Sequence, residues 1–326
     1  MKFQEDFKVT EGLRQAYLDG FEAVIEKRQE ELGAVRRSRM NDILADPAPH
    51  RKALMDMLGW PLTEERTGIP RVTEELLTQE GELTVYRLRV EVLEGLWMAG
   101  LLFKQNQKAP MVLCQHGGLG TPELIAGFYG STANYNNMVE RVLAQGCHVF
   151  APQLLLWNKD YGIPINREEM DFRLKRLGSS VAAMELYGLM RCLDYLETLE
   201  CCGKLGMVGL SYGGFYTQYL SALDTRIQSA VACSYFCDRD ASPRADWTWL
   251  NSAALYEDAE IACMVYPRRI CLQMGNRDEL FDSEKSRRVF ETIPCKGDWI
   301  ELIVFDGKHE FYRDDAPLIR LAKDLK

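Results

Sequence analysis

Hydrophobic residues follow two strand-like patterns along the second quarter of this chain and beyond. In residues 82–92, ELTVYRLRVEV, polar and apolar residues alternate as in a strand with one face on the core, and GLWMAGLLF follows after a Glu-Gly turn. Continuous apolar runs then predict strands that are buried on both faces. These runs cover 110–115, 146–152, 205–210, 228–236, 268–274 and 299–305.

Amphipathic segments of helix length separate most of these runs, among them 132–145, 179–199, 211–222 and 283–292. Strands that alternate with helices indicate an α/β fold. We therefore predict a doubly wound, mostly parallel sheet of about eight strands with helices on both faces.

The first part of the chain has a helical period instead. Apolar residues recur on one helix face at Leu13, Tyr17, Phe21, Val24 and Ile25. We expect residues 1–80 to form a helical N-terminal extension, interrupted by the loop ADPAPH, and residues 81–326 to form one α/β domain. The extension is expected to pack on that domain or to join a second subunit, so a homo-oligomer through the N-terminal helices is one predicted assembly.

Two connections in the α/β domain are too long for ordinary loops. Residues 153–178 and 237–266 are predicted to be lid-like insertions, because long insertions in compact domains are usually functional. The second insertion contains Trp247 and Trp249. These tryptophans are candidate substrate contacts, and the equally weighted alternative is that they pack the insertion onto the body.

Composition and charge exclude several classes of protein. The chain has 326 residues, a hydrophobic content of 47% and a formal net charge of -9, and no dense Lys/Arg stripe appears. Such a chain offers no basic surface to nucleic acid. The N-terminal residues lack the apolar region of a secretory signal, and no stretch is long enough to cross a bilayer. We therefore expect a cytoplasmic protein without a membrane partner.

The ten cysteines do not change this expectation. Several of them, such as Cys114 and Cys271, lie in apolar runs where a reduced thiol behaves as a small hydrophobic group. The pairs Cys201/Cys202 and Cys233/Cys237 have no second pair or histidine at zinc spacing. We predict reduced cysteines and no metal site.

A candidate nucleophile lies at the sharpest predicted corner of the chain. Ser211 stands between the strand 205–210 and a helix, in GLSYGG. A strained strand-to-helix turn needs small neighbours, which accounts for Gly209, Gly213 and Gly214. The Ser211 hydroxyl is then expected at the carboxyl end of the sheet, where the Tyr212 N–H can face a developing oxyanion.

A serine needs a base and an orienting carboxylate to act as a nucleophile. Of the four histidines, His309 alone follows the serine, in a loop after the last strand. His50 lies in the extension, and His148 lies within a strand. Asp278 follows the strand 268–274 and completes the order Ser, Asp, His. Asp282 is instead expected to cap a helix, and Asp306 to satisfy its own turn.

The loop CQHGGLG at 114–120 is predicted to supply the second oxyanion donor, from the N–H of Gly117 or Gly118. His116 in this loop is a candidate substrate contact. Phosphate binding is the competing use of a glycine-rich loop. It is excluded here because no Gly-Lys-Ser/Thr follows and no dinucleotide-type glycine pattern opens a helix.

Together these motifs resemble the α/β-hydrolase superfamily over residues 81–326. The segments around residues 95–118, GLSYGG, QMGNRDELF and DGKHEF are similar to the dienelactone hydrolase and acetyl xylan esterase-like branch of esterases. The resemblance implies a triad of Ser211, Asp278 and His309, an oxyanion hole at Tyr212 and the 116–118 loop, and no cofactor. The dienelactone hydrolases proper use a cysteine nucleophile, whereas this sequence has serine.

The leading hypothesis is a serine esterase that acts on a small-molecule carboxylic ester. One alternative is a serine peptidase, since GLSYGG also resembles the prolyl oligopeptidase family, although that family carries a large N-terminal propeller. The other alternative is a non-catalytic hydrolase-fold protein that binds a ligand through the same cleft. All three triad residue types occur in the expected order, which favours an enzyme.

Overall fold

The computed structural model describes residues 1–239 and 244–326. Within these residues nine strands form one sheet, in the order β1-β2-β3-β5-β4-β6-β7-β8-β9. The pairs β1/β2, β2/β3 and β3/β5 are antiparallel, and the remaining pairs are parallel. The strands are β1 (Val72–Glu80), β2 (Leu83–Leu93), β3 (Leu96–Lys104), β4 (Ala109–Gln115), β5 (His148–Pro152), β6 (Cys202–Leu210), β7 (Ile227–Cys233), β8 (Arg269–Gly275) and β9 (Ile300–Phe305).

Helices cover both faces of the sheet, as the alternating pattern predicts. They are α1 (Phe7–Ala45), α2 (Ala48–Leu58), α3 (Pro122–Ile125), α4 (Met138–Ala144), α5 (Arg167–Lys175), α6 (Val181–Leu196), α7 (Tyr212–Leu223), α8 (Ser252–Leu255), α9 (Asp258–Cys263), α10 (Ser283–Glu291) and α11 (Ala316–Leu325). Apolar side chains of α6 and α7 fill the core on one face, and those of α4 and α11 fill the core on the other. The predicted α/β fold is confirmed.

The strand β1 corrects the expectation that residues 1–80 are helical throughout. Residues 72–80 pair with β2 at the edge of the sheet, which raises the number of described strands from the expected eight to nine. Most of the side chains in β1 are exposed, so the segment VTEELLTQE shows no buried alternating face. Backbone pairing with β2, and not side-chain burial, places this strand.

The N-terminal extension consists of α1 and α2. Only the last part of α1 packs on the α/β body, through buried Met40 and Ile43, whereas residues 7–31 are almost entirely exposed. Arg36 donates to the carbonyl oxygen of Ala253 at 2.7 Å, and Arg39 pairs with Glu260 at 3.0 Å. No described helix is both long enough and apolar enough to cross a membrane.

Both insertions fold against the body. Residues 153–178 contain a 3₁₀ turn, Lys159–Tyr161, and α5, while the described part of 237–266 contains a 3₁₀ turn, Ala245–Trp247, followed by α8 and α9. Contacts between α5 and the turn Ala245–Trp247 join the two insertions. The ion pair between Lys175 and Asp171 lies in this contact region.

Candidate active site

The turn that holds Ser211 is sharp and fixed on both sides. Ser211 has a φ of 61° and a ψ of -120°, a region that residues with a side chain rarely adopt. Its N–H donates to the Cys233 carbonyl at 2.9 Å, and its carbonyl accepts from the Phe215 N–H at 2.9 Å. These bonds on either side hold a half-buried serine at the carboxyl end of β6.

The glycines around Ser211 serve close packing between backbones. A Cβ on Gly213 would lie 2.1 Å from the Gln115 carbonyl oxygen, and a Cβ on Gly209 would lie 2.3 Å from the Gly213 carbonyl oxygen. Real Cβ atoms do not approach this closely, so α7 can lie against the end of β4 only with glycine at 213, and against β6 only with glycine at 209. The small residues predicted from strain at the turn are thus required by close packing between backbones.

His309 and Asp278 form a hydrogen-bonded pair at the ends of neighbouring strands. The Nδ1 atom of His309 lies 2.8 Å from Oδ2 of Asp278, whose side chain is fully buried. The other carboxylate oxygen, Oδ1, accepts from the N–H groups of Leu280 at 2.9 Å and Phe281 at 3.2 Å. Asp278 is therefore held by its own loop and presents one oxygen to the imidazole.

Neighbouring residues also hold the ring and the backbone of His309. The ring of Phe281 stacks on that of His309, with centroids 5.7 Å apart and planes 21° apart. The His309 carbonyl accepts a hydrogen bond from the Asn134 side chain at 2.9 Å. His309 thus keeps one orientation in the loop after β9.

A cleft of about 670 Å³ brings the predicted residues together. Ser211 and His309 both line it, with Tyr212, Gly117 and Gly118 beside them. Leu155, Trp157 and Arg167 from the first insertion and Arg244 from the second complete its walls. This cleft combines a hydroxyl, an imidazole with a carboxylate partner, and backbone donors, which is the set of groups needed for acyl transfer.

The predicted oxyanion donors are not equivalent. The N–H of Gly117 donates to the Tyr135 hydroxyl at 2.8 Å, so it already has an acceptor. Within the described residues the N–H groups of Gly118 and Tyr212 make no hydrogen bond to a loop or side-chain acceptor. A Cβ on Gly118 would lie 3.4 Å from the Tyr212 ring, so these two residues are neighbours. Of the two alternatives for the second donor, Gly118 is therefore the one that geometry favours over Gly117, and the oxyanion role of Gly118 and Tyr212 stays a prediction.

His116 is fully buried and does not line the cleft at Ser211, contrary to its prediction as a substrate contact. Its Nε2 accepts from the Leu154 N–H at 3.0 Å, and its Nδ1 lies 2.9 Å from the Gly117 carbonyl. Since Nε2 accepts a hydrogen bond, the neutral ring carries its proton on Nδ1. Burial lowers the pKa of His116 to about 4, so it is neutral at physiological pH.

We expect His116 to make the fold sensitive to mild acid. Its pKa of about 4 in the folded state lies below the ordinary value of 6.5, so the unfolded chain binds the proton first. Stability should fall as the pH drops from about 6.5 towards 4, by on the order of 2 kcal/mol from this residue at pH 5. Urea unfolding at pH 7 and pH 5 tests this, with His116→Gln as the comparison. The variant should lose less stability than the wild type, and an equal loss in both would contradict the assignment.

Trp247 and Trp249 are buried, at 3% and 6% exposure. Their rings pack on Phe215, with centroids 5.7 Å and 6.4 Å away. Neither tryptophan lines the cleft at Ser211. The predicted substrate contact is therefore wrong in this structure, and the alternative, packing of the insertion onto the body, describes both residues.

A buried ion-pair network that the sequence pattern does not predict lies beside the cleft. Arg167 contacts Asp246 at 2.7 Å and Glu185 at 2.9 Å, and it also donates to the Tyr216 hydroxyl at 2.7 Å. Asp246 in turn accepts from the Tyr212 hydroxyl at 2.9 Å. Burial acts to lower the pKa of Arg167, but the charge of Glu185 and further partners outweigh it and raise that pKa well above its usual value.

Removal of Arg167 should therefore destabilise the fold. Arg167→Met leaves two buried carboxylates without their cation, and breaking a buried pair in this way costs about 3–5 kcal/mol. Arg176→Met, at an exposed arginine just after the same helix, is the matched control and should change stability by less than about 0.5 kcal/mol. Urea denaturation measures both variants. Equal stability of the two would show that the network contributes little.

No metal-binding cluster accompanies this site. Among residues 1–239 and 244–326, no group of three or more His, Cys, Asp or Glu side chains could hold a metal ion. All ten cysteines are free thiols.

Comparison with known proteins identifies a family. The chain matches the dienelactone hydrolase family over residues 123–324. No curated protein sequence matches it significantly.

Solved structures show the same fold at low sequence identity. A candidate acetyl xylan esterase from Bacteroides fragilis NCTC 9343 has a TM-score of 0.63 and 16% identity, over 83% of this chain and 76% of that chain. A glucuronoyl esterase from Solibacter usitatus has a TM-score of 0.60 and 15% identity, over 85% and 91%. Acetyl xylan esterase 1 from Thermoanaerobacterium sp. JW/SL YS485 has a TM-score of 0.58 and 14% identity, over 85% and 93%.

Proposed function

This chain belongs to the dienelactone hydrolase family, and from that premise we propose that it is a serine esterase that cleaves a carboxylic ester through an acyl-enzyme on Ser211. The observation that carries the proposal is the 2.8 Å contact between His309 and the buried Asp278, in a cleft that Ser211 also lines. The esterase activities of the structurally similar proteins agree with it.

In the proposed first half-reaction, Ser211 Oγ attacks the ester carbonyl carbon while His309 Nε2 accepts the hydroxyl proton. The carbonyl oxygen becomes an oxyanion, which accepts hydrogen bonds from the N–H groups of Tyr212 and Gly118. When the intermediate collapses, the bond to the alcohol oxygen breaks and His309 gives that oxygen its proton. The acyl group remains on Ser211.

In the second half-reaction, a water molecule attacks the acyl-enzyme and His309 accepts its proton. Collapse of this second intermediate releases the carboxylic acid and returns the proton to Ser211 Oγ. In both half-reactions Asp278 accepts a hydrogen bond from the Nδ1–H of His309. It keeps Nε2 free to accept a proton and stabilises the imidazolium that forms in each half.

The two insertions are proposed to select the substrate, and residues 81–326 to act as the catalytic domain. Leu155, Trp157 and Arg167 from the first insertion, and Arg244 from the second, line the same cleft as Ser211. The ten free cysteines are consistent with a reducing compartment, and we propose a cytoplasmic location.

A pair of chromogenic substrates distinguishes the esterase from the alternative of a peptidase. We expect the protein to hydrolyse p-nitrophenyl acetate readily and a proline p-nitroanilide peptide slowly or not at all. The physical reason is that the described residues before residue 81 form α1, α2 and β1, so no described element corresponds to the propeller that the prolyl oligopeptidase family carries. Faster release of p-nitroaniline than of p-nitrophenol, measured as kcat/KM, would favour the peptidase.

A further inference from the structure

The free part of α1 carries a wide apolar face that nothing in the described chain covers. Large apolar side chains lie on one half of the helix between residues 7 and 25, and Leu13, Tyr17 and Val24 are 67–72% exposed. The ring of Phe21 packs edge-on against that of Tyr17, one turn earlier in the same helix, with centroids 5.0 Å apart. A helix of this kind gains most of its stability when its apolar face is buried, so this face is expected to have a partner.

We propose that this face pairs with the same face of a second copy of the chain, so that the protein is a homodimer joined by an antiparallel pair of α1 helices. The proposal concerns assembly and does not depend on the esterase function. The dimerising face is defined as residues 13, 17, 21, 24, 25 and 28.

The length of the face sets the size of the contact. In an antiparallel pair with its two-fold axis between residues 22 and 23, residues 14–31 of one copy lie beside residues 14–31 of the other, over about 27 Å, since a helix rises 1.5 Å per residue. Half of the surface of such a rod, which is about 10–12 Å across, amounts to roughly 470 Å². This area is below the roughly 800 Å² per partner of a standard interface, so the helix pair belongs to the class of small interfaces.

Charge selects the antiparallel arrangement. Arg28 and Tyr17 lie along the centre of the dimerising face, eleven residues apart, which is close to three helical turns. Arg28 pairs with Glu31 of its own helix at 3.0 Å. A two-fold axis between residues 22 and 23 would also place each Arg28 over the Tyr17 ring of the other copy, a favourable cation–π contact. A parallel pair would instead place Arg28 against Arg28, with like charges in contact.

Charge also disfavours a membrane surface as the partner. Residues 1–31 contain eight acidic and five basic side chains. Helices that lie on anionic lipid carry a polar face rich in Lys and Arg, which this segment lacks. A second copy, which is equally apolar along this face, is the partner that the helix fits.

Sedimentation velocity of the full chain tests the proposal. We expect the wild type to sediment as a dimer at about 10 μM, and Phe21→Glu/Val24→Glu to sediment as a monomer with at least a tenfold higher dissociation constant. The matched control is Gln15→Glu/Ala23→Glu, which adds two acidic side chains on the opposite side of α1 and should remain dimeric. Circular dichroism establishes that all three proteins are folded.

Three outcomes would overturn the proposal. The first is a wild type that stays monomeric up to about 100 μM. The second is a dimer that persists unchanged in Phe21→Glu/Val24→Glu. The third is a monomer that cosediments with phosphatidylserine vesicles, which would assign the face to lipid. Ester hydrolysis is a separate readout, so loss of the dimer with full activity supports this inference and leaves the proposed function intact.

Discussion

Ser211→Ala is expected to lower turnover of p-nitrophenyl acetate by on the order of a million-fold, with almost no change in thermal stability. The substitution removes the oxygen on which the proposed acyl-enzyme forms. The Ser211 N–H donates to the Cys233 carbonyl and the Ser211 carbonyl accepts from the Phe215 N–H, and alanine keeps both of these backbone bonds that hold the turn. The fold should therefore survive while the reaction stops.

Ser221→Ala is the matched control for this experiment. Ser221 lies in α7, ten residues after Ser211. It is fully buried, and its hydroxyl has no hydrogen-bond partner in the described chain. The variant should stay within about tenfold of wild-type turnover. If Ser211→Ala retained more than a few per cent of wild-type turnover, Ser211 could not be the nucleophile.

Asp278→Asn is expected to lower turnover by about four orders of magnitude. Oδ1 of Asp278 accepts two backbone N–H groups, so the oxygen of an asparagine would keep that place. The amide nitrogen would then face Nδ1 of His309 and donate to it. The imidazole proton would move to Nε2, the atom that must accept the proton of Ser211.

Two nearby aspartates are controls for Asp278. Asp306 is 79% exposed and pairs with Arg277 at 3.1 Å, and Asp282 caps α10 by accepting from the Glu284 N–H at 2.8 Å. Asp306→Asn and Asp282→Asn should each stay within tenfold of wild type, which corresponds to under about 1.4 kcal/mol of barrier. A strong loss in Asp306→Asn, with Asp278→Asn nearly normal, would show that the orienting carboxylate is misassigned.

The sequence is sufficient to predict the candidate triad because each member follows a continuous apolar run. Continuous apolar runs mark β6, β8 and β9, and Ser211, Asp278 and His309 follow them. Parallel strands end at one edge of the sheet, so residues that directly follow them converge. The local pattern is therefore sufficient, because the parallel topology of the sheet brings the three residues together.

Other parts of the molecule could not be predicted because contacts distant in sequence decide them. The edge strand β1 has no buried face and so no alternating pattern. The Tyr135 hydroxyl accepts from Gly117, eighteen residues earlier, and Arg167 meets Asp246, seventy-nine residues later. Such pairs leave no periodic pattern of apolar and polar residues in the sequence. The two tryptophans likewise look the same in sequence whether they line a cleft or fill a core.

Covalent labelling tests the central claim most directly. A fluorophosphonate probe reacts with a serine only where a base activates it and an oxyanion site stabilises the adduct. Mass spectrometry of the digested protein should find one probe molecule on the peptide that contains Ser211, and neither Ser211→Ala nor His309→Ala should be labelled. An unlabelled native protein, or a label on a different residue, would contradict the account.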